Sequence, residues 1–383
     1  MDFATKCIHA IGESDSTGSV TPAIYLSSTF AHPHVGDTTG FNYTRESNPT
    51  RSRLEELINV IEEGVDAIAF SSGMAAIATV MELFSPGDHI IATDDLYGGS
   101  IRLFHTISEK NGVKFTTVNT ADLAAVQEAI QPTTKAIFVE TPTNPTMEIT
   151  DLRVLSKIAH EHNILVIVDN TFLTPYFQKP LTLGADIVVH SGTKYLCGHN
   201  DVLAGFAITN NSEIALKLRE IFKTIGGCLS PFDSWLVIRG IKTLPLRMDK
   251  HQSNALKIAD WLKTKRSVTK VLYPGLPESK GYVINSLQAT GFGGMISFVV
   301  DSAATARQIL EGVKLIKFAE SLGGTESLIT YPRFQTHTDL SEEECARKGI
   351  NDKFLRLSVG LESPEDLIPD LEQALAGRQI NEL

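Results

Sequence analysis

Short apolar runs alternate with amphipathic segments through the first two thirds of the chain. Uninterrupted runs rich in β-branched residues predict buried strands at 89–93, 114–118, 136–140, 164–169, 186–190 and 203–208. Between several of these runs lie helical patterns, such as the one over 152–162. Because strands that alternate with helices usually form parallel sheets, residues 49–240 are predicted to form a mostly parallel sheet covered by helices.

A smaller second unit is predicted to follow this sheet. A long helical pattern covers roughly 232–263 and would bridge the two units, and further strands and helices are predicted at 268–272, 295–300, 303–311 and 364–376. The first 48 residues are rich in Gly, Ser, Thr and Pro and predict an extended arm. We therefore expect an α/β protein with an arm over 1–48, a large domain over 49–240 and a C-terminal domain over 241–383.

Composition narrows the class of protein. A chain of 383 residues with 42% hydrophobic and 21% charged residues is typical of a soluble enzyme of about two domains. Its net charge of −11 argues against nucleic acid or an anionic membrane as a partner. The four cysteines have no paired spacing, no secretory signal or membrane-spanning run is evident, and no spacing predicts a metal site. We therefore expect a cytoplasmic protein.

Polar residues follow two of the predicted strands at their carboxyl ends. Asp169 ends the run over 164–169, and Ser191-Gly192-Thr193-Lys194 follows the run over 186–190. Open α/β sheets bind ligands at this edge. A lysine amine there can form a Schiff base with pyridoxal phosphate (PLP), while the carboxylate keeps the pyridine nitrogen protonated and hydroxyls hold the phosphate. A lysine that only caps a helix or pairs with an acid explains the same two segments equally well.

Two further segments fit a PLP site. Ser71-Ser72-Gly73-Met74-Ala75-Ala76 follows an apolar run and opens a helical pattern, so its free N–H groups can bind an anion. Tyr97 follows the strand predicted at 89–93, where its ring could stack on the pyridine and its phenol could act as an acid or base. Taken singly, each segment also fits an ordinary helix start or a loop tyrosine.

Together the motifs resemble one family. Their order along the chain is similar to that of the Cys/Met-metabolism PLP enzymes, at segments 43–51, 71–76, 95–99, 140–145, 168–172, 191–194 and 356–362. The family includes cystathionine γ-synthases, cystathionine β- and γ-lyases, O-acylhomoserine sulfhydrylases and methionine γ-lyases. The resemblance runs from about residue 5 to about residue 376. It implies the aspartate-aminotransferase-like fold of PLP enzymes (fold type I), with PLP as cofactor and amino acids as substrates.

The resemblance also implies residue roles. Lys194 would hold PLP and shuttle protons, Tyr97 would stack on the ring and take part in catalysis, and Asp169 would meet the pyridinium. The phosphate would be held by Gly73, Met74, Ser191 and Thr193. The substrate would be bound by Asn144, Glu320, Ser321 and Arg356, of which Arg356 would grip the α-carboxylate because its planar fork suits that group.

The resemblance extends to assembly. Tyr43 and Arg45 lie in the predicted arm, which in this family reaches a neighbouring subunit and completes its phosphate site. It therefore implies a homotetramer with active sites shared between subunits.

The choice of reaction rests on a few positions. Glu320-Ser321-Leu322-Gly323-Gly324 is similar to the γ-synthase and γ-lyase branch, Gly99 replaces the cysteine typical of methionine γ-lyases, and residues 325–337 look closer to bacterial γ-synthases or sulfhydrylases. The leading hypothesis is replacement at Cγ of an O-acylhomoserine by cysteine or sulfide. A cystathionine γ- or β-lyase is the alternative. A non-catalytic PLP-binding relative is a distant one, because Lys194, Asp169, Tyr97 and Arg356 occur together.

Overall fold

The computed structural model describes residues 1–12, 17–338 and 342–377, which form two sheets flanked by helices. The strands are β1 Asp66–Phe70, β2 His89–Thr93, β3 Lys114–Val118, β4 Thr134–Glu140, β5 Leu165–Asp169, β6 Ile187–Ser191, β7 Gly205–Thr209, β8 Val268–Leu272, β9 Met295–Val300, β10 Lys317–Phe318, β11 Leu328–Thr330 and β12 Phe354–Ser358. The helices are α1 Phe3–His9, α2 Pro49–Glu62, α3 Gly73–Met81, α4 Gly98–Leu103, α5 Leu123–Glu128, α6 Leu152–Glu161, α7 Thr174–Phe177, α8 Ser212–Ile225, α9 Pro231–Ile241, α10 Leu244–Lys263, α11 Tyr282–Gln288, α12 Ala303–Gly312, α13 Glu342–Lys348 and α14 Pro364–Ala376.

The larger sheet has seven strands in the order β1-β7-β6-β5-β4-β2-β3. Strands β3, β2, β4, β5 and β6 are parallel to one another, whereas β7 pairs antiparallel with both β6 and β1. One face of this sheet packs in a core with α2 and the other in a core with α3 and α8. The sheet is thus mostly parallel, as predicted, and its parallel strands share one carboxyl edge.

The smaller sheet has five strands in the order β10-β11-β12-β9-β8. Its neighbouring strands are antiparallel except for β10 and β11. Buried residues of β9 and β12 share a core with apolar residues of α10, α12 and α14. The α/β fold class with a second, smaller C-terminal sheet is therefore confirmed.

Two segments differ in detail from the predicted elements. The helical pattern over 232–263 is divided into α9 and α10. Pro245 lies in the first turn of α10, where the missing N–H has no helical partner to lose. Inside one continuous helix the same proline would remove a hydrogen bond and break the helix. The arm is not extended throughout, because Phe3–His9 is helical and buries Cys7 in the large core. The predicted domain limits remain predictions, and the arm and C-terminal domain include residues 13–16, 339–341 and 378–383, which lie outside the described part.

Within the described residues, no helix combines the length and the apolar character that crossing a membrane requires.

Candidate active site

A cavity of about 350 Å³ opens at the carboxyl edge of the large sheet. Every predicted site residue except Tyr43 and Arg45 lines it. These residues are Gly73, Met74, Tyr97, Asn144, Asp169, Ser191, Thr193, Lys194, Glu320, Ser321 and Arg356. The large sheet and its helices provide one side of the cavity, and β12 with the loop before β11 provides the other.

Asp169 ends β5 and is 9% exposed. Its Oδ1 accepts hydrogen bonds from the backbone N–H of Thr171 at 3.0 Å and from the Thr171 hydroxyl at 2.5 Å. Burial raises the pKa of Asp169, and these two hydrogen bonds oppose that shift because they favour the ionised form. A carboxylate that is held this way and lines a cavity can accept a hydrogen bond from a cationic ring.

Lys194 lies in the turn that follows β6, and its Nζ donates to the Ser321 hydroxyl at 2.8 Å. Burial lowers the pKa of Lys194 to about 8, and the positive charge of Arg356 acts in the same direction, whereas Glu320 opposes the shift. A larger fraction of this amine is neutral near neutral pH than for an ordinary lysine, so it is suited to attack an aldehyde and to accept protons.

The N-terminus of α3 packs tightly against two strands. Ser72 caps this helix by accepting the Ala75 N–H at 3.1 Å. A Cβ added to Gly73 would lie 3.0 Å from Ser191, and one added to Gly205 would lie 2.0 Å from the Ser72 carbonyl oxygen. The two glycines therefore bring the N-terminus of α3 close to Ser191 and to β7, and Thr193 lines the same cavity, an arrangement suited to a phosphate.

Arg356 lies on β12 and is only 2% exposed. Its guanidinium donates to Asn144 Oδ1 at 2.9 Å, and to the Ser321 carbonyl and the Thr330 hydroxyl at 3.2 Å each. Burial lowers the pKa of Arg356 to about 10, so the group stays charged at neutral pH. None of its described partners is a carboxylate within ion-pair distance, and a substrate carboxylate would supply the missing counter-charge.

The structure adds site residues that the sequence did not single out, among them Glu140, Thr171 and Thr336. Glu140 ends β4 in register with Asp169 and accepts the Tyr97 N–H at 3.0 Å. Burial raises the pKa of Glu140 well above its usual range, and Asp169 adds to this shift. Glu140 lies at the end of a predicted strand, and both Glu140 and Thr171 lie in segments of the family resemblance, although neither was given a role of its own.

Tyr43 and Arg45 do not line the cavity of their own chain. The Arg45 guanidinium lies 5.6 Å from the centre of the Tyr43 ring and donates to the carbonyl of Lys223 near the end of α8. Tyr43 is 47% exposed. Within one subunit, these two residues are therefore separate from the site.

A family model described as Cys/Met metabolism PLP-dependent enzyme matches residues 4–376. The chain belongs to this family. It is 48% identical over 376 residues to a Bacillus subtilis protein named cystathionine gamma-lyase, covering 98% of this chain and 99% of the relative. It is 49% identical over 363 residues to a Haemophilus influenzae protein named cystathionine gamma-synthase, covering 94% of each chain.

A solved structure has the same fold. It is a cystathionine gamma-lyase from Lactobacillus plantarum complexed with L-serine, and it superposes with a TM-score of 0.96 at 46% sequence identity, covering 98% of this chain and 99% of that one. The protein is thus a PLP-dependent trans-sulfuration enzyme of the group that contains cystathionine γ-synthases, γ-lyases and β-lyases.

The residues around the cavity fit this cofactor. A lysine amine with a lowered pKa, a buried carboxylate and a glycine-lined helix N-terminus face one space, and they match an aldehyde, a pyridinium and a phosphate respectively.

Proposed function

We propose that this enzyme replaces the acyl group of an O-acylhomoserine with a thiol, preferably that of cysteine. The observation that carries the proposal is the position of Glu320 in the same cavity as Lys194 and Arg356. Arg356 is a buried cation, and Glu320 is an exposed acidic residue that lines the same cavity. The cavity thus offers a positive group for the α-carboxylate at one end of the product and a negative group for the ammonium group at its other end.

The opposite charges of Arg356 and Glu320 suit two amino acids that are bound in the cavity at the same time. Arg356 would bind the α-carboxylate of the homoserine ester, with Asn144 and Ser321 fixing the guanidinium through the hydrogen bonds described above. Glu320 would attract the ammonium group of the incoming cysteine. Overall, the Cγ–O bond of the ester breaks and an S–Cγ bond forms. The thiol loses its proton, and the acyl group leaves as a carboxylic acid that carries one proton in its place.

Lys194 would move the protons. When bound, PLP withdraws electrons from the substrate Cα and makes its proton acidic. The amine of Lys194, with a pKa of about 8, can take that proton near neutral pH. It would also take a proton from Cβ, so that electrons become available to break the Cγ–O bond, and would return both protons after the new S–Cγ bond forms. Ser321 would hold the amine during these steps, since its hydroxyl accepts a hydrogen bond from Nζ at 2.8 Å.

We also infer that the Tyr43–Arg45 segment serves a neighbouring subunit. These residues lie outside the cavity of their own chain, although the family resemblance assigns them to a phosphate site. An assembly of at least two subunits, and a homotetramer by resemblance, would bring them to a second cavity.

Elimination is the second candidate. It is favoured by the 48% identity to a relative named cystathionine gamma-lyase, and a β-lyase remains within the same group of relatives. A methionine γ-lyase fits less well, because a Cβ at Gly99 would lie 2.4 Å from an atom of the Tyr97 ring, and a cysteine there would force that ring to move.

Glu320→Gln tests the role of the carboxylate. Because Glu320 is exposed, its attraction for an ammonium group is modest, and the KM for cysteine should rise roughly two- to fivefold while the KM for sulfide stays unchanged. Glu326→Gln is the matched control, since Glu326 binds Asn200 at 2.7 Å and does not line the cavity. Equal effects of Glu320→Gln on cysteine and sulfide would contradict the proposed role.

A further inference from the structure

A single hydroxyl group connects the two strand ends that carry the site. Thr171 Oγ1 donates to Asp169 Oδ1 at 2.5 Å and accepts the backbone N–H of Ser191 at 2.9 Å. Asp169 ends β5 and Ser191 ends β6, the neighbouring parallel strand. The hydroxyl therefore bridges the Asp169 carboxylate, which lines the cavity, and the segment that leads to Lys194.

We propose that Thr171 is a positioning residue that orients Asp169 toward the cofactor ring and fixes it relative to the Ser191–Lys194 turn. The proposal rests on the assignment of Asp169 to the pyridinium. Thr171 acts in it through Asp169 and not by contact with the substrate.

The geometry leaves little freedom to the carboxylate. Oδ1 is held from two directions, by the Thr171 hydroxyl and by the Thr171 backbone N–H at 3.0 Å, which leaves Oδ2 as the oxygen for the ring. Loss of the hydroxyl would free the carboxylate to rotate and would leave the Ser191 N–H without this acceptor. It would also remove a donor that favours the ionised form, so the pKa of Asp169, already raised by burial, would rise further.

Two substitutions separate the hydroxyl from the rest of the side chain. Thr171→Val keeps the branched shape and removes the hydroxyl, whereas Thr171→Ser keeps the hydroxyl and removes a methyl group. Thr171→Val should weaken PLP binding to the apoprotein and lower kcat, each by roughly 10- to 150-fold, as expected for a hydrogen bond to a charged group. The KM for the amino acid should change little, because Arg356 is intact. Thr171→Ser should restore both properties to within a few fold.

Thr120→Val is the matched control. Thr120 is fully buried, its hydroxyl bonds to Thr93 at 2.8 Å and to Thr150 at 2.7 Å, and it does not line the cavity. This control should lose thermal stability without losing PLP affinity. If Thr171→Val does not fold, Thr171→Ala and Thr171→Ser provide a second pair that differs only in the hydroxyl.

The readouts are titration of the apoprotein with PLP, followed by absorbance, and a separate determination of kcat and KM. Normal PLP affinity and kcat without the hydroxyl would overturn the proposal, and so would a serine variant as impaired as the valine or alanine variant. Equal loss of PLP affinity in Thr120→Val would do the same. Because PLP binding does not depend on whether replacement or elimination follows, failure here is distinguishable from failure of the proposed function.

Discussion

Lys194 and Arg356 line the same cavity, and the different basicity of an amine and a guanidinium gives them different protonation behaviour. Burial and the charge of Arg356 lower the pKa of Lys194 to about 8. Arg356 has a pKa of about 10 after the same kind of shift and stays charged. Near neutral pH the site thus has a permanent cation for a carboxylate and an amine that can gain or lose a proton.

The lowered pKa of Lys194 predicts how the apoprotein takes up PLP. Only the neutral amine attacks an aldehyde, so the rate of covalent attachment should rise with pH and level off above about 8, rather than continue toward the ordinary lysine value of 10.5. Stopped-flow absorbance measures the rate, and borohydride reduction with peptide mapping locates the adduct. An adduct on another lysine, or a rate that still rises at pH 10, would refute this assignment.

Arg356→Leu should separate substrate binding from cofactor binding. The variant loses a charge-assisted hydrogen-bonding group, so kcat/KM should fall roughly 10- to 150-fold while PLP remains bound. Arg356→Lys keeps a charge without the planar fork and should recover only part of the loss. Unchanged kinetics in Arg356→Leu would show that the carboxylate binds elsewhere.

Among the secondary-structure elements, α3 and β7 are in close contact at the end of the cavity that we assign to the phosphate. Gly205→Ala would bring a Cβ to 2.0 Å from the Ser72 carbonyl oxygen and force the strand and helix apart. We expect a loss of about 1–3 kcal/mol in unfolding free energy, together with weaker PLP binding. Gly227→Ala is the control, because its Cβ would meet Ala75 at an ordinary 3.6 Å. Similar thermal unfolding and PLP affinity in the two variants would contradict the importance of this contact.

Some features of these elements could be predicted from the sequence alone, and others could not. Lys194 and Asp169 were predictable as neighbours, because parallel strands end at one edge of a sheet. The antiparallel direction of β7 was not, since an apolar run has no direction. Arg356 lies on β12 of the smaller sheet and Ser321 in the loop before β11, and only the family resemblance assigned them to the site. The positive φ of 89° at Ser321, which no glycine marks, had no signal in the sequence.

At the scale of the whole molecule, the role of the arm determines whether one subunit alone contains a complete active site. Tyr43 and Arg45 lie away from their own cavity, so subunits with Arg45→Ala and subunits with Lys194→Ala should each be inactive alone. Mixed oligomers should regain part of the activity, because a hybrid site can take Lys194 from one chain and Arg45 from another. No recovery in verified mixed oligomers would mean that Arg45 serves its own subunit or is not needed.

Replacement at Cγ is a property of the complete enzyme and is read from its products. The most direct measurement is the initial rate of cystathionine formation against that of 2-oxobutanoate release, with O-acetyl- or O-succinylhomoserine and cysteine as substrates and with cystathionine alone in a parallel reaction. We predict that cystathionine forms faster than 2-oxobutanoate is released. Efficient cleavage of cystathionine without any reaction of the two esters would contradict replacement at Cγ. In that case, 2-oxobutanoate would indicate cleavage on the γ side and pyruvate would indicate cleavage on the β side.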